Sequence, residues 1–324
     1  MAAPRPARRT ARLLVGLALG ALLFLLLVRA LGVERGTVLT LLVGALPLTL
    51  TAVYPLLAGA LALRSRVLTA LALVVVAGQV AVVVPTLGAA PVPARARTAA
   101  RLRVVTANLY VLNEDPEATG RALRALHPDV LVVPELTVAG QAALRASGLL
   151  DDLPFDAGGL GGRAEGVGLF SRLPLTATAL HPIGVRLLPR ATVRVGGVDV
   201  RLLAGHPLPP FGPWESLWRT ALTDLAREVR STPGPVVVAG DLNADRDHAA
   251  LRRVLGTGLR DAADERGHGV SRTWPAGHPL LQLDHVLVRD GGGTRLVVLD
   301  ERAVRVPGTD HRAVLADLAV LPPR

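Results

Sequence analysis

Three apolar stretches, Leu13 to Val33, Thr37 to Leu63 and Val67 to Leu87, follow one another near the N-terminus, separated only by VERG (33 to 36) and RSR (64 to 66). Each is close to the ~20 residues that cross a bilayer as a helix. Residues 1–87 therefore read as a membrane domain with three transmembrane helices. The basic start (Arg5, Arg8, Arg9, Arg12) also suits a cleaved signal peptide. The first apolar core, however, exceeds the ~7 to 15 residues usual for one, and two more spans follow at once.

The net charge of +10 suggests a nucleic-acid partner until it is divided along the chain. Residues 1–100 hold ten Arg and a single acid, Glu34, which leaves 26 Arg against 25 acids in the remainder. A nearly neutral remainder lacks the footprint that phosphate-backbone binding requires, so nucleic acid is disfavoured as a partner. With no Cys, thiolate metal sites and Cys nucleophiles are excluded. Arg before the first stretch and Arg64 and Arg66 after the second place the N-terminus inside, and three crossings then put the rest outside the cell membrane. Arg95, Arg97, Arg101 and Arg103, just after the last stretch, argue the other way.

GAAPVPARARTAA (88–100) is rich in Pro, Ala and Gly and reads as an extended linker. Beyond it, residues 101–324 alternate short apolar runs with turn residues. Strands are expected at 102–107, 130–133, 166–171, 175–180, 191–195, 198–204, 236–238, 283–288, 295–299 and 314–320. Helices are expected at 118–126, 215–230 and 248–255. Many strands with interspersed helices predict an α/β fold of two sheets packed face to face and flanked by helices.

Polar residues recur where these strands end: Asn108, Glu135, His206, Asp241 with Asn243, Asp284, and Asp310 with His311. Singly each has an ordinary explanation, and Gly-Asp-x-Asn after Val236 to Val238 is also what an Asx turn looks like. Jointly they hold the parts of a phosphohydrolase that uses a hard cation. Asn108 and Glu135 offer oxygen ligands suited to Mg²⁺ or Mn²⁺, whereas zinc motifs are missing. His206, Asn243 and His311 would donate to phosphoryl oxygens, Asp241 would orient the attacking water, and Asp284 would hold the His311 imidazole and raise its pKa.

TANLY (106–110), PE (134–135), GVGLFSRLP (166–174), GHP (205–207), GDLN (240–243), TWP (273–275), LDHVLV (283–288) and TDH (309–311) resemble, in order, the motifs of the endonuclease/exonuclease/phosphatase superfamily with its DNase I-like fold. The resemblance implies a four-layer α/β sandwich over residues 101–324. It implies Asn108, Glu135 and Asp310 at the metal. It further implies Asp241, Asn243, His206, Asp284, His311 and Asp310 as catalytic residues, with His206 contacting phosphate. Pro134 departs from the Gln common before the metal Glu, and Thr309 from the usual Ser. Three spans ahead of such a domain are similar to the bacterial teicoplanin-resistance, VanJ-like membrane phosphatases. That likeness implies the lipid bilayer and a lipid-linked phosphate, such as polyprenyl pyrophosphate, as partner and substrate. An external phosphodiesterase or nuclease, and a resistance protein that sequesters lipid phosphates without turnover, are the alternatives. Nothing in the sequence sets an oligomeric state.

Overall fold

The computed structural model describes residues 5–160, 165–269 and 271–323. Among the described residues, twelve strands build two six-stranded sheets. The first has the order β11-β12-β1-β2-β4-β3: β11 Arg295–Arg305, β12 Arg312–Leu321, β1 Ala100–Thr106, β2 Val130–Pro134, β4 Val167–Ser171, β3 Phe155–Gly159. The second has the order β5-β6-β7-β8-β10-β9: β5 Leu175–Ile183, β6 Arg186–Val195, β7 Val198–Gly205, β8 Val236–Asp241, β10 Asp284–Arg289, β9 Arg260–Asp261. Each sheet has one parallel pair at its centre, β1 with β2 and β7 with β8, and its other pairs are antiparallel. A parallel neighbour requires a crossover, and helices Pro116–Arg124 and Trp214–Ser231 supply it.

Alternation along the strands sorts side chains between layers. Leu102, Val104, Val130 and Val132 face the second sheet, while Val105, Leu131 and Val133 pack under Leu123 and Leu144 of the outer helices Pro116–Arg124 and Val138–Ala146. The three consecutive valines of β8 are all buried, because Trp218, Leu222, Leu225 and Val229 of the Trp214–Ser231 helix join the same core from the far side. The layers run helix, sheet, sheet, helix.

The apolar N-terminal region differs in part from its sequence reading. Two of the three stretches form helices long and apolar enough to cross a membrane, Pro6–Leu31 and Arg66–Thr86. The middle one is a bent pair, Thr37–Gly44 and Leu46–Ala62, turning by 78° at the break. Pro47 favours a helix start here, and the Gly44 α-carbon lies against the His248 ring, where any added Cβ would come within 2.6 Å of Cε1. Leu46–Ala62 spans only ~25 Å at 1.5 Å per residue. At one end of the bundle Arg12 Nη2 donates to Leu63 O at 2.9 Å. At the opposite end Glu34, Thr37 and Thr86 meet the β-sandwich: Ala249 N donates to Glu34 Oε1 (2.6 Å), Gly212 N to Thr37 Oγ1 (2.7 Å) and Gly269 N to Thr86 O (3.0 Å).

The stretch 88–100, read from its composition as an extended tether, is mostly exposed but touches the sandwich at two points. Ala90 N donates to Glu265 O at 2.8 Å, and Ala96 is fully buried against Val297, Ala319 and Leu321. Small side chains gave no apolar period, yet they let the backbone lie close on β11 and β12.

β7 and β8 end side by side at the paired Gly205 and Gly240. Gly240 has φ +152°, and a Cβ there would lie 1.9 Å from Gly205 O. Gly240→Ala is therefore expected to cost more than about 2 kcal/mol, read as a lowered thermal unfolding midpoint of the detergent-solubilised protein. An unchanged midpoint would show that the strand ends have slack.

Candidate active site

Both parallel pairs point their C-terminal ends to the same edge of the sandwich, and the polar residues gather there. Past Thr106 the chain stays zipped to β2, with Ala107 N on Val132 O and Leu109 N on Pro134 O, both at 3.0 Å, so Asn108 is fully buried between them. Its Oδ1 accepts from Tyr110 N (2.9 Å), which turns the amide NH₂ toward Glu135 Oε1 (3.0 Å) and Asp241 Oδ2 (3.1 Å). Glu135 Oε2 accepts from Val111 N at 2.8 Å. Glu135 and Asn243 have φ of +57° and +48°, left-handed conformations that cost non-glycine residues about 1–3 kcal/mol and cluster at functional sites.

From the second sheet, Asp241 Oδ1 accepts from Asn243 N (2.8 Å), and Asn243 Nδ2 donates to Pro207 O (3.1 Å). The Asx turn and the candidate site are thus the same residues. Thr273 Oγ1 accepts from Leu283 N and Asp284 N, fixing the start of β10. Asp284 Oδ2 lies 2.8 Å from His311 Nδ1, so Nδ1–H donates to it. His311 Nε2 then faces Asp241 Oδ2 at 3.8 Å and Asp310 Oδ1 at 3.9 Å. Asp310 Oδ2 accepts from Trp274 Nε1 at 3.1 Å.

Burial alone would lower the His311 pKa, but the adjacent Asp284 and Asp241 carboxylates outweigh it and raise it to about 10. Burial raises Asp241 to about 7, against the attraction of His311 and with the repulsion of Asp284. His206, at the end of β7, is held well below its ordinary value by burial and then by the charges of Arg186 and His311. Its Nδ1 lies 3.0 Å from Arg186 Nη1, a donor, so the ring's proton is on Nε2.

Sequence reasoning missed Arg186, whose guanidinium reaches the site from the edge of β6 and feels the charges of Glu135 and Asp241. A lone Arg between Val185 and Leu187 carries no motif. Trp274 stood in a recognised motif, but its grip on Asp310 was not foreseen. Behind the site, His285 is buried with Nδ1 2.6 Å from Asp261 Oδ2 and Nε2 2.8 Å from Ala244 O, which ties down the loop after Asn243.

Asp241, Asp284 and His311 each present a donor atom within 4.8 Å of the others, a spacing that could hold a metal ion. The Asp284 bond and the positive charge favoured on His311 make this cluster better suited to carrying a proton than to caging a cation. Glu135 and Asp310 supply carboxylate oxygens of the kind a hard divalent ion takes, and Asp310 Oδ1 is buried with no hydrogen-bond partner among the described residues. Asn108, expected from the sequence as a further oxygen ligand, instead turns Nδ2 toward Glu135 because its Oδ1 accepts from Tyr110 N.

Two mixed sheets bring carboxylates, amides and histidines together on one edge. The chain belongs to the Endonuclease/Exonuclease/phosphatase family, whose model matches residues 105–311. No curated protein sequence matches it. Among solved structures it is similar to D. rerio TDP2 complexed with single strand DNA product: 16% identity, TM-score 0.57, covering 67% of this chain and 98% of that one. Sphingomyelinase C from Streptomyces griseocarneus is 18% identical with a TM-score of 0.50, covering 67% and 99%. An endonuclease/exonuclease/phosphatase from Bacteroides vulgatus is 16% identical with a TM-score of 0.51, covering 68% and 99%. At these identities the likeness is one of fold.

Two predictions follow from this geometry. Because His311 and Asp284 form one hydrogen-bonded unit, the double variant His311→Ala/Asp284→Ala should lose little more kcat than His311→Ala alone, whereas multiplicative losses would show independent roles. The second concerns pH and stability. Burial lowers His285, but Asp261 outweighs it and raises the group to about 9 from an ordinary 6.5. Its stabilisation, on the order of 3 kcal/mol, is complete below pH ~6.5 and is lost as pH rises through about 9. The wild-type unfolding midpoint should fall between pH 7 and 10 more steeply than that of His285→Gln; parallel profiles would contradict the pairing.

Proposed function

We propose that this chain is a membrane-anchored, Mg²⁺-dependent phosphohydrolase acting on a phosphate ester or pyrophosphate bond of a lipid-linked substrate such as polyprenyl pyrophosphate, in the manner of the VanJ-like subgroup. The observation that carries the reading is the docking of the apolar helices beside the Asp241–Asn243 loop. Arg29 Nε pairs with Asp247 Oδ1 (2.6 Å), Glu34 accepts from Ala249 N, and His248 Nε2 lies 2.9 Å from Thr40 O. With Nδ1 of His248 accepting from Asp245 N (2.8 Å), its proton is on Nε2 and is donated to that carbonyl. A site fixed this way stays at the headgroup layer, where a membrane-borne phosphate gains effective concentration.

In this reading Glu135 and Asp310 would hold the Mg²⁺, which would neutralise charge on the phosphate, and Asn108 would join them only with its amide turned so that Oδ1 replaces Nδ2 beside Glu135. Asp241 accepts the proton of the attacking water. His311 Nε2–H, His206 Nε2–H, Asn243 and Arg186 stabilise the charge that accumulates on phosphoryl oxygens. Arg12 and Leu63 lie at the bundle end opposite the sandwich, which supports three passes and, with the basic N-terminus, an extracytoplasmic catalytic domain. A phosphodiesterase or nuclease is the second reading, favoured by the likeness to a TDP2 bound to single strand DNA. The neutral charge of residues 101–324 weighs against it. Sequestration without turnover leaves the His311–Asp284 unit with no task.

The test compares kcat/KM for vesicle-borne polyprenyl pyrophosphate and for DNA at equal Mg²⁺ and physiological salt. The lipid is expected to be preferred by at least about tenfold, and Glu135→Gln should abolish turnover of it. A preference for DNA would overturn the reading.

A further inference from the structure

The face that receives Thr37–Gly44 also holds a cavity of about 150 Å³ that opens onto the catalytic groups. Its polar end is Asn243 and His311. Its walls are apolar: Leu41 from the Thr37–Gly44 helix, Phe211 from the loop after β7, and Trp274, Leu281 and Leu283 from the segment leading into β10. The N-terminal helices and the sandwich each supply part of the wall, so the cavity exists only in the docked chain.

We propose that this cavity binds the first apolar segment of the substrate's alcohol, directly next to the phosphate, and so selects alkyl or prenyl phosphates and pyrophosphates over esters whose phosphate adjoins glycerol, a sugar or a nucleoside. Three observations carry the inference. The cavity has catalytic side chains at one end, so whatever fills it is bonded to, or adjacent to, the reacting phosphate. Apart from His248, already committed to Thr40 O, the rest of its lining offers no side-chain partner aimed at a hydroxyl: Trp274 Nε1 is engaged by Asp310. A polyhydroxyl group would therefore lose its water without replacement bonds, at a penalty that an apolar chain does not incur. Finally, its volume is that of an apolar cavity able to take a benzene-sized guest of about six carbons, which matches one branched five-carbon unit.

The position of Leu41 follows from the bend. A straight middle helix would carry residues 37–44 along the bundle axis and away from the site. The 78° turn instead lays them across the catalytic face, with His248 pressed on Gly44 and Gly212 N held by Thr37 Oγ1. Phe211 is 47% exposed and forms the rim, and Val38, on the same helix as Leu41, is 71% exposed and does not line the cavity.

This inference rests on the phosphohydrolase reading above and deepens it, and the experiment separates the two. The full-length protein in detergent, with Mg²⁺, is assayed on pyrophosphate monoesters of methanol, a five-carbon prenol and a ten-carbon prenol, and on the glycerol ester. Wild type should gain about tenfold or more in kcat/KM from the methyl to the five-carbon ester, with little further gain at ten carbons, and should treat the glycerol ester like the methyl one. Phe211→Ala and Leu41→Ala should each shrink the five-carbon to methyl ratio about fivefold or more, while the control Val38→Ala keeps it. Phe211 is exposed enough that its variant folds even if Leu41→Ala does not. A flat wild-type series, or ratios unchanged in both pocket variants, would overturn the pocket. A five-carbon preference lost in Phe211→Ala, in a protein that ignores vesicle-borne polyprenyl pyrophosphate, would support the pocket and strike the membrane-substrate reading instead.

Discussion

The Asn108 amide joins the two sheets between two carboxylates. Its NH₂ group lies between Glu135 of the first sheet and Asp241 of the second. Two carboxylates brought to one buried edge repel each other and lose water, and an unpaired buried charge costs several kcal/mol. A neutral double donor satisfies both without adding charge, and the backbone bond from Tyr110 N to Oδ1 holds it in the required sense. The second inter-sheet bond, Asp284 to His311, is charge-assisted and sits beside it. Loss of either would leave the sandwich core intact and its catalytic edge unmatched.

The apolar helices dock beside the same edge. Glu34, the one acid among the first hundred residues, is buried and accepts from Ala249 N. Arg29 meets Asp247, and Arg252 Nη2 donates to Arg29 O. These partners follow Asn243 within ten residues, so the loop carrying the candidate catalytic groups is clamped from behind by His285 and Asp261 and from the side by the helices. The loop is thus held from two sides, and the face beside the helices is lined by Leu41, Phe211 and Leu281.

Much of the architecture was legible because its signals are local. Runs of Val and Leu ending in Asn, Glu or Asp marked β1, β2 and β8, and the amphipathic period of 215–230 marked the crossover helix. Weak or contradictory local signals hid other parts. β3, FDAGG, is glycine-rich and half exposed, and it exists because β4 offers it an edge. β9 is two residues long, and β5 runs three residues past its expected end through His181 and Pro182, carried by pairing with β6. The segment 88–100 looked like a tether because alanines have no hydrophobic period, although they are the side chains that allow close backbone packing.

The sequence by itself determined which residues stand at strand ends, and therefore the oxygen and imidazole inventory of the site, because strand and turn formation depend on neighbours a few positions apart. It also determined that the first 87 residues are apolar enough for a bilayer. Only the tertiary structure decided that Asn108 meets Asp241, 133 positions away, that Arg186 enters the site, and that the middle apolar stretch bends at Gly44 to place Leu41 beside His311. Those relations arise from the packing of two sheets and a helix bundle against one another, and no window of sequence short enough to show a period contains both partners.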